Sequence, residues 1–201
     1  MRVGGQRILD RAVCGALAVP AVTHVVVVVP VAYVDRVRAD LTSTEPGALV
    51  DVVAGGAERT DSVRAGLALL EPDCAIVLVH DAARCLTPPG VYERVIAAVA
   101  AGAPAVVPGL PVVDTMKVVD ADGLVVHTPD RSSVRAIQTP QGFTRAALDR
   151  AHASGQLATD DAALAEACGI PVRVVDGDPL ALKVTTPADL DHATRLLEAR
   201  R

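Results

Sequence analysis

Aromatic side chains are nearly absent from this 201-residue chain, which has no Trp, two Tyr and one Phe. Proteins that grip single-stranded nucleic acid stack bases on rings, and those that grip duplexes neutralise phosphates with basic stripes. With so few rings and a net charge of -5, neither surface can be built, and no nucleic-acid partner is expected. Long apolar runs are lacking as well. No stretch reaches the roughly 20 residues that cross a bilayer, and MRVGGQRILD at the start has charges where a signal peptide has its apolar centre. A cytoplasmic protein with no membrane contact is expected. Cys14, Cys74, Cys85 and Cys168 show neither CxxC nor metal-type spacing, so they read as plain thiols. Lysine is scarce: of 19 Lys and Arg residues only two, Lys117 and Lys183, are Lys. Either two ordinary lysines survived by chance, or a compact, strongly hydrated charge is needed at those points.

The chain is half apolar, 51% by count, enough for one sizeable core, and no compositional break divides it; residues 1–201 are expected to form a single domain. Apolar spacing predicts a helix from Ile8 to Leu17, then the uninterrupted β-branched strand His24 to Pro30, a helix over Val31 to Leu41, and a turn at Thr42 to Gly47. A short strand at Val50 to Val53 leads into Gly55-Gly56, and Thr60 is placed to cap a helix carrying Val63, Leu67 and Leu70 on one face. Next come a strand at Val77, a helix from about Pro89 to Ala101 and a strand at Ala105 to Val107. This β-α alternation predicts an α/β, Rossmann-like, mostly parallel sheet with helices on both faces.

The pattern changes at about residues 111–135. Asp114 to Val119 and Leu124 to Thr128 flank the turn Asp120-Ala121-Asp122-Gly123 and read as a hairpin. An isolated two-stranded ribbon is marginal in water, so this one either folds back on its own sheet or projects as an arm onto a second subunit. The chain returns through Val134 to Ile137 and a turn at Gln138 to Gly142. Helices are expected at Thr144 to Ser154 and Asp160 to Cys168, and a last core strand at Val172 to Val175. Thr186-Pro187-Ala188-Asp189 opens the final helix with a cap, a Pro at the first position and an acid at the third.

Chemistry is expected where VLVHDAAR, Val77 to Arg84, turns from apolar to polar, since ligands of open α/β sheets bind beyond the carboxyl ends of the strands. A carboxylate there, Asp81, suits a divalent cation that bridges polyphosphate oxygens. It is not a simple helix cap, because the helix signal starts near Pro88. His80 alternates to the other face and reads as packed. Lys183 stands just before a helix start, where the dipole offers a cation nothing. On residue type alone, Arg59 could be a solvated Arg, Thr159 could cap the helix at Asp160, and Arg131 could pair with Asp130 or Asp122.

GGAERTDSV (Gly55 to Val63), VHDAAR (Val79 to Arg84), DTMK (Asp114 to Lys117), TPDR (Thr128 to Arg131), QTPQGF (Gln138 to Phe143), TDDA (Thr159 to Ala162) and KVTTPADL (Lys183 to Leu190) follow one another along nearly the whole chain. In that order the chain resembles the 2-C-methyl-D-erythritol 4-phosphate cytidylyltransferases of the non-mevalonate isoprenoid pathway. The resemblance implies transfer of CMP from CTP to methylerythritol phosphate with release of pyrophosphate, a divalent cation such as Mg²⁺, and a homodimer joined through the β-arm. It implies that Gly56, Arg59, Ser62 and Ala82 lie against the nucleotide, the glycine letting backbone approach the base. Asp81 would hold the metal, Lys183 would reach the phosphates, and Arg84 would assist near the acceptor. Thr115, Arg131, Thr139 and Thr159 would bind methylerythritol phosphate, Thr115 and Arg131 from the other subunit's arm.

Two departures from the family pattern qualify this expectation. Members begin with a strand and a Gly-rich loop bearing an Arg and a Pro-Lys pair, which wrap the CTP phosphates; here Val3-Gly4-Gly5-Gln6 follows Met1 directly, so that loop and its strand are expected to be missing from this chain. Ala57 stands where many members carry an acid beside the nucleoside. A related nucleotidyltransferase acting on another polyol phosphate such as ribitol 5-phosphate, and a non-catalytic dimer that keeps only the fold, are the alternative readings.

Overall fold

The computed structural model describes residues 1–41, 49–156 and 158–199. The chain opens with a hairpin of β1 (Arg2–Val3) and β2 (Gln6–Arg7), turned by Gly4 and Gly5 at φ +54° and +82°. That is the left-handed backbone a two-residue turn needs and glycine adopts without strain. α1 (Ile8–Leu17), β3 (His24–Val29), α2 (Val34–Leu41), β4 (Leu49–Ala54), α3 (Arg59–Leu67), β5 (Ile76–Val79), α4 (Pro89–Ala100) and β6 (Ala105–Pro111) follow. The later part contributes β7 (Val118–Val119), β8 (Val125–His127), β9 (Arg135–Ile137), β10 (Gln141–Thr144), α5 (Arg145–Ala153), α6 (Asp161–Ala167), β11 (Val172–Asp176) and α7 (Pro187–Glu198). The turn expected at Thr42 to Gly47 lies outside the described residues.

The α/β expectation holds, with two strands of the larger sheet, β9 and β10, reversed against β6. The larger sheet runs β11-β6-β10-β5, with β9 also on β6. β11 is parallel to β6, while β10 is antiparallel to both β5 and β6, so β5, β6 and β11 share one direction around a reversed strand. β3 and β4 pair in parallel from His24 opposite Leu49 to Val29 opposite Ala54. Gln141 and Gly142, expected in a turn, are thus central strand residues. β11 is an edge strand, not a core strand: Val174 is 47% exposed.

Alternation along β10 explains how both faces close. Phe143 has no exposure and packs with Leu148 and Ala151 of α5 and Leu164 and Ala165 of α6. Gly142 points the other way, where an added Cβ would stand 2.4 Å from Val95 Cγ1 on α4. Glycine lets α4 lie close on that face, since any side chain would have to displace a buried helix. α4 is buried through Val91, Tyr92, Val95 and Val99.

Between β3 and β5 runs a groove of about 620 Å³. Consecutive residues line it, Val25 to Val28 on one side and Ile76 to Ala82 on the other, with α1 and α3 as its walls. Lining by consecutive residues means that strand edges, not strand faces, front the groove. Among the described residues β3 pairs only with β4 and β5 only with β10.

The starts of α3, α5, α6 and α7 are fixed by side-chain oxygens. The cap of α3 is Glu58, whose N–H donates to Asp61 Oδ2 at 3.2 Å; Thr60, expected there, is buried in the first turn. Thr144 Oγ1 caps α5, and Asp160 Oδ1, not Thr159, caps α6. At α7 the expected cap is present. Thr186 Oγ1 accepts from Asp189 N, while Asp189 Oδ2 accepts from the N–H groups of Thr185 and Thr186 and the hydroxyl of Thr185. These donors hold the Asp189 carboxyl down, from 3.8 to about 2. A lowered folded pKa means that the unfolded chain takes up the proton first. The stabilisation is complete above pH 3.8 and drains away as pH falls toward about 2. Asp189→Asn is expected to flatten this acid limb, read as urea midpoints measured across that range.

Candidate functional site

β5 delivers the site. Its apolar residues end at Val79, and His80 and Asp81 follow at the mouth of the groove. Asp81 is held through its backbone: its N–H donates to Thr139 Oγ1 at 3.0 Å and its carbonyl accepts Arg84 N–H at 2.8 Å. The side chain is left for charge. Lys183 Nζ lies 3.0 Å from Asp81 Oδ2, and Arg84 Nε is 3.7 Å from the same oxygen. Lys183 is brought there by its neighbour, since Val184, buried in the core with Cys85 and Ala193, donates its N–H to Ala83 O at 2.9 Å.

Arg84 ties the site together. Its Nη1 and Nη2 donate to Ala181 O at 2.7 Å and Ile137 O at 3.3 Å, and burial lowers its pKa although Asp81 opposes this. Thr139, expected at the acceptor, is buried, and its hydroxyl also meets His80 Nδ1 at 2.9 Å. Burial pushes His80 down to about 4, so at neutral pH the ring is uncharged, and Thr139 Oγ1 bridges it to the Asp81 N–H. His80 is packed, as expected, with its ring 5.3 Å from that of Tyr92.

The residues expected at the nucleotide lie at the start of α3 and just beyond the end of β5. Arg59, Ser62, Asp81 and Ala82 all line the groove. Ser62 Oγ accepts from Gly56 N at 3.2 Å and donates to Glu58 O, so it shapes the glycine loop. The want of a side chain at Gly56 has a packing reason: a Cβ there would lie 2.2 Å from Asp61 Cβ. Arg59 Nη2 reaches Asp161 Oδ2 at 2.6 Å across 102 residues of sequence. Asp161 is fully buried; burial alone would raise its pKa, but hydrogen bonds from His152 and Arg59 outweigh this and lower it. His152 stands in none of the sequence motifs, and Asp161 lies within TDDA without a role expected of it.

The arm stands elsewhere. β7 and β8 pair antiparallel, and the tip is made by Gly123 at φ +82° and by Asp120 Oδ1, which accepts from the N–H groups of Asp122 and Leu124. Thr115 and Arg131 are exposed and do not line the Asp81 groove; Arg131 Nη1 donates to Val113 O at 3.0 Å rather than pairing with Asp130 or Asp122. Lys117 Nζ donates to Thr128 Oγ1 across the hairpin at 2.7 Å. Thr159 is exposed, directly before the start of α6.

Residues 1–199 match the family described as IspD, 2-C-methyl-D-erythritol 4-phosphate cytidylyltransferase. The chain belongs to this family. A Nocardia farcinica protein of that name is 54% identical over 198 residues, which cover 98% of this chain and 84% of the relative. A Rhodococcus jostii protein of the same name is 53% identical over 197 residues, 98% of this chain and 84% of that one. The crystal structure of 4-diphosphocytidyl-2C-methyl-D-erythritol synthase from Anaerococcus prevotii superposes with a TM-score of 0.90 at 28% identity, covering 98% of this chain and 88% of that one.

In this member of the family, the motif VHDAAR supplies the carboxylate, KVTTPADL the ammonium and GGAERTDSV the guanidinium around one groove mouth. QTPQGF supplies the hydroxyl beneath them. Thr139→Val keeps the shape but leaves the Asp81 N–H without its acceptor, a loss that costs about 1–3 kcal/mol. Urea denaturation is expected to show a lowered midpoint with unchanged slope.

Proposed function

We propose that this chain transfers the cytidylyl group of CTP to the phosphate of 2-C-methyl-D-erythritol 4-phosphate and releases pyrophosphate. The observation that carries the reading is the Lys183–Asp81 pair at the carboxyl end of β5, beside the groove that Arg59 and Ser62 border. A phosphate monoester with a second pKa of about 6 is largely ionised at neutral pH, so its oxygen attacks the α-phosphorus of CTP without a side-chain base. A new O–P bond forms as the bond to the β-phosphate oxygen breaks, and pyrophosphate leaves with that electron pair. Catalysis reduces to alignment and charge neutralisation. Lys183 exchanges its carboxylate partner for the phosphates, and Gly56, Arg59, Ser62 and Ala82 border the nucleoside.

A divalent cation fits this donor set. Among the described residues no group of three or more His, Cys, Asp or Glu side chains is placed to hold a metal. Mg²⁺ calls for no such group, since it takes one or two carboxylates and completes its shell with water and substrate phosphates. Asp81 would hold it, and the ion would neutralise phosphate charge. The strand and Gly-rich loop that the family wraps around the triphosphate are assigned to the groove between β3 and β5, whose mouth lies at Asp81.

Acceptor binding is assigned to Thr159, to Thr139 from beneath, and to the partner subunit's Thr115 and the partner subunit's Arg131. A homodimer joined through the arm is supported by the arm's exposed apolar residues, Val113 at 85%, Leu124 at 68% and Val126 at 63%. No helix among the described residues is long and apolar enough to cross a membrane, and the reaction calls for no nucleic-acid partner.

Pyrophosphate release given CTP, Mg²⁺ and methylerythritol phosphate tests the reading. It is to be measured for the 201-residue chain and for the same chain preceded by a relative's strand and Gly-rich loop. Release by the extended form, absent when ribitol 5-phosphate replaces the acceptor, is expected; no release by either form would overturn the assignment. Asp81→Asn in the active form is expected to lower kcat by about 10²-fold or more, and unchanged turnover would remove the metal role. Mixing inactive Arg131→Ala and Lys183→Ala dimers should restore activity after subunit exchange if Arg131 acts across the interface.

A further inference from the structure

Asp161 has no exposure, and the His152 side chain against it is 3% exposed. The carboxylate takes His152 Nε2 at 2.8 Å on one oxygen and Arg59 Nη2 at 2.6 Å on the other. Burying such a set is a poor route to stability, because apolar residues of equal volume stabilise as well or better. What a buried, hydrogen-bonded ion set supplies is one fixed geometry. Here the geometry belongs to the guanidinium of Arg59, whose Nη1 is buried, has no protein partner, and sits in the side chain that lines the groove with Ser62 and Asp81. One edge of the fork is clamped and one donor is left over.

We infer that His152 and Asp161 are a positioning pair for Arg59: His152 fixes the Asp161 carboxylate, Asp161 holds one edge of the guanidinium, and the exposed part of the Arg59 side chain is thereby held against the groove for the nucleotide. The inference rests on the assignment of Arg59 to the nucleotide side. The same helix end ties that side to the acceptor side. Thr159 precedes Asp160, and Asp160 Oδ2 accepts from Gln141 Nε2 at 2.8 Å, while Gln141 Oε1 accepts from Ala162 N at 3.1 Å. The start of α6 is thus pinned to β10, so the clamp on Arg59 is anchored in the centre of the sheet.

Side-chain NMR of the Arg-labelled 201-residue chain reads the clamp without any nucleotide. Arg59 Nη signals, assigned by their loss in Arg59→Ala, should be resolved and slowly exchanging. They should average in Asp161→Asn and in His152→Leu, and persist in His152→Gln, whose amide Nε2 stands where the ring Nε2 stood. Unchanged Arg59 signals in Asp161→Asn and His152→Leu overturn the clamp whether or not the protein binds CTP. In the form that turns over, Asp161→Asn should raise KM for CTP about tenfold with kcat within about twofold, and should add nothing in an Arg59→Ala background. An equal rise in both backgrounds means that Asp161 acts only through general stability and overturns the positioning role. Should Asp161→Asn fail to fold, the contrast between His152→Leu and His152→Gln decides the same point. Absence of CTP turnover in every form counts against the proposed function and leaves the NMR result to settle the clamp.

Discussion

The mouth of the groove depends on how Asp81 is held. Its backbone N–H and carbonyl are both committed, to Thr139 Oγ1 and Arg84 N–H, and the loop behind it is stitched to the last segment of the chain through Ala83 and Val184. Both oxygens of the carboxylate therefore remain free for ionic partners. Asp81 is 28% exposed and Lys183 48%, and an ion pair so open to solvent is worth about 0–1 kcal/mol at most. The pair contributes almost nothing to stability, and for that reason the exchange proposed above, a phosphate on the Lys and a metal on the Asp, would cost little. Rigid backbone and weakly held charge together are what a site of this kind requires.

Arg84 shows the opposite use of a cation. Its guanidinium carries two short-range duties, to Ala181 and Ile137 carbonyls, which join the loop after β5 to the end of β9 and the segment before α7. The planar fork reaches two acceptors at once, which an ammonium could not do with the same fixed geometry. Lys183 beside it is a flexible point charge, 48% exposed, which suits the phosphate role proposed for it.

Much of this was legible in the sequence, and the reasons differ residue by residue. β3 and β5 were read from unbroken apolar runs, and α7 from Thr186 and Asp189, because burial on two faces and helix capping each leave a local signature. Asp81 and Lys183 stood out because each breaks the pattern around it. β10 was read as a turn because Thr-Pro-Gln-Gly is turn chemistry. Its glycine answers instead to the approach of Val95, a contact 47 positions away that no local rule encodes. The His152–Asp161–Arg59 set is hidden for the same reason: Arg59 and Asp161 stand in separate motifs and His152 in none, and only the packing of α5 and α6 against α3 brings them to one point.

The arm raises the reverse question, since its local signature is clear and its partner is not in the chain's own core. Strands of two and three residues joined by a bulged register cannot hold an isolated ribbon in water. Its valines are exposed on both faces, Val118 at 42% and Val119 at 52%, Val125 at 58% and Val126 at 63%, whereas a ribbon lying on its own sheet would bury one face. Such a ribbon gains most from a surface that wraps it, and a second arm of the same sequence is a self-complementary one. The proposed dimer follows from that need. It would also account for Thr115 and Arg131, which do not line the groove beside Asp81 and stand instead on the element whose apolar residues are exposed.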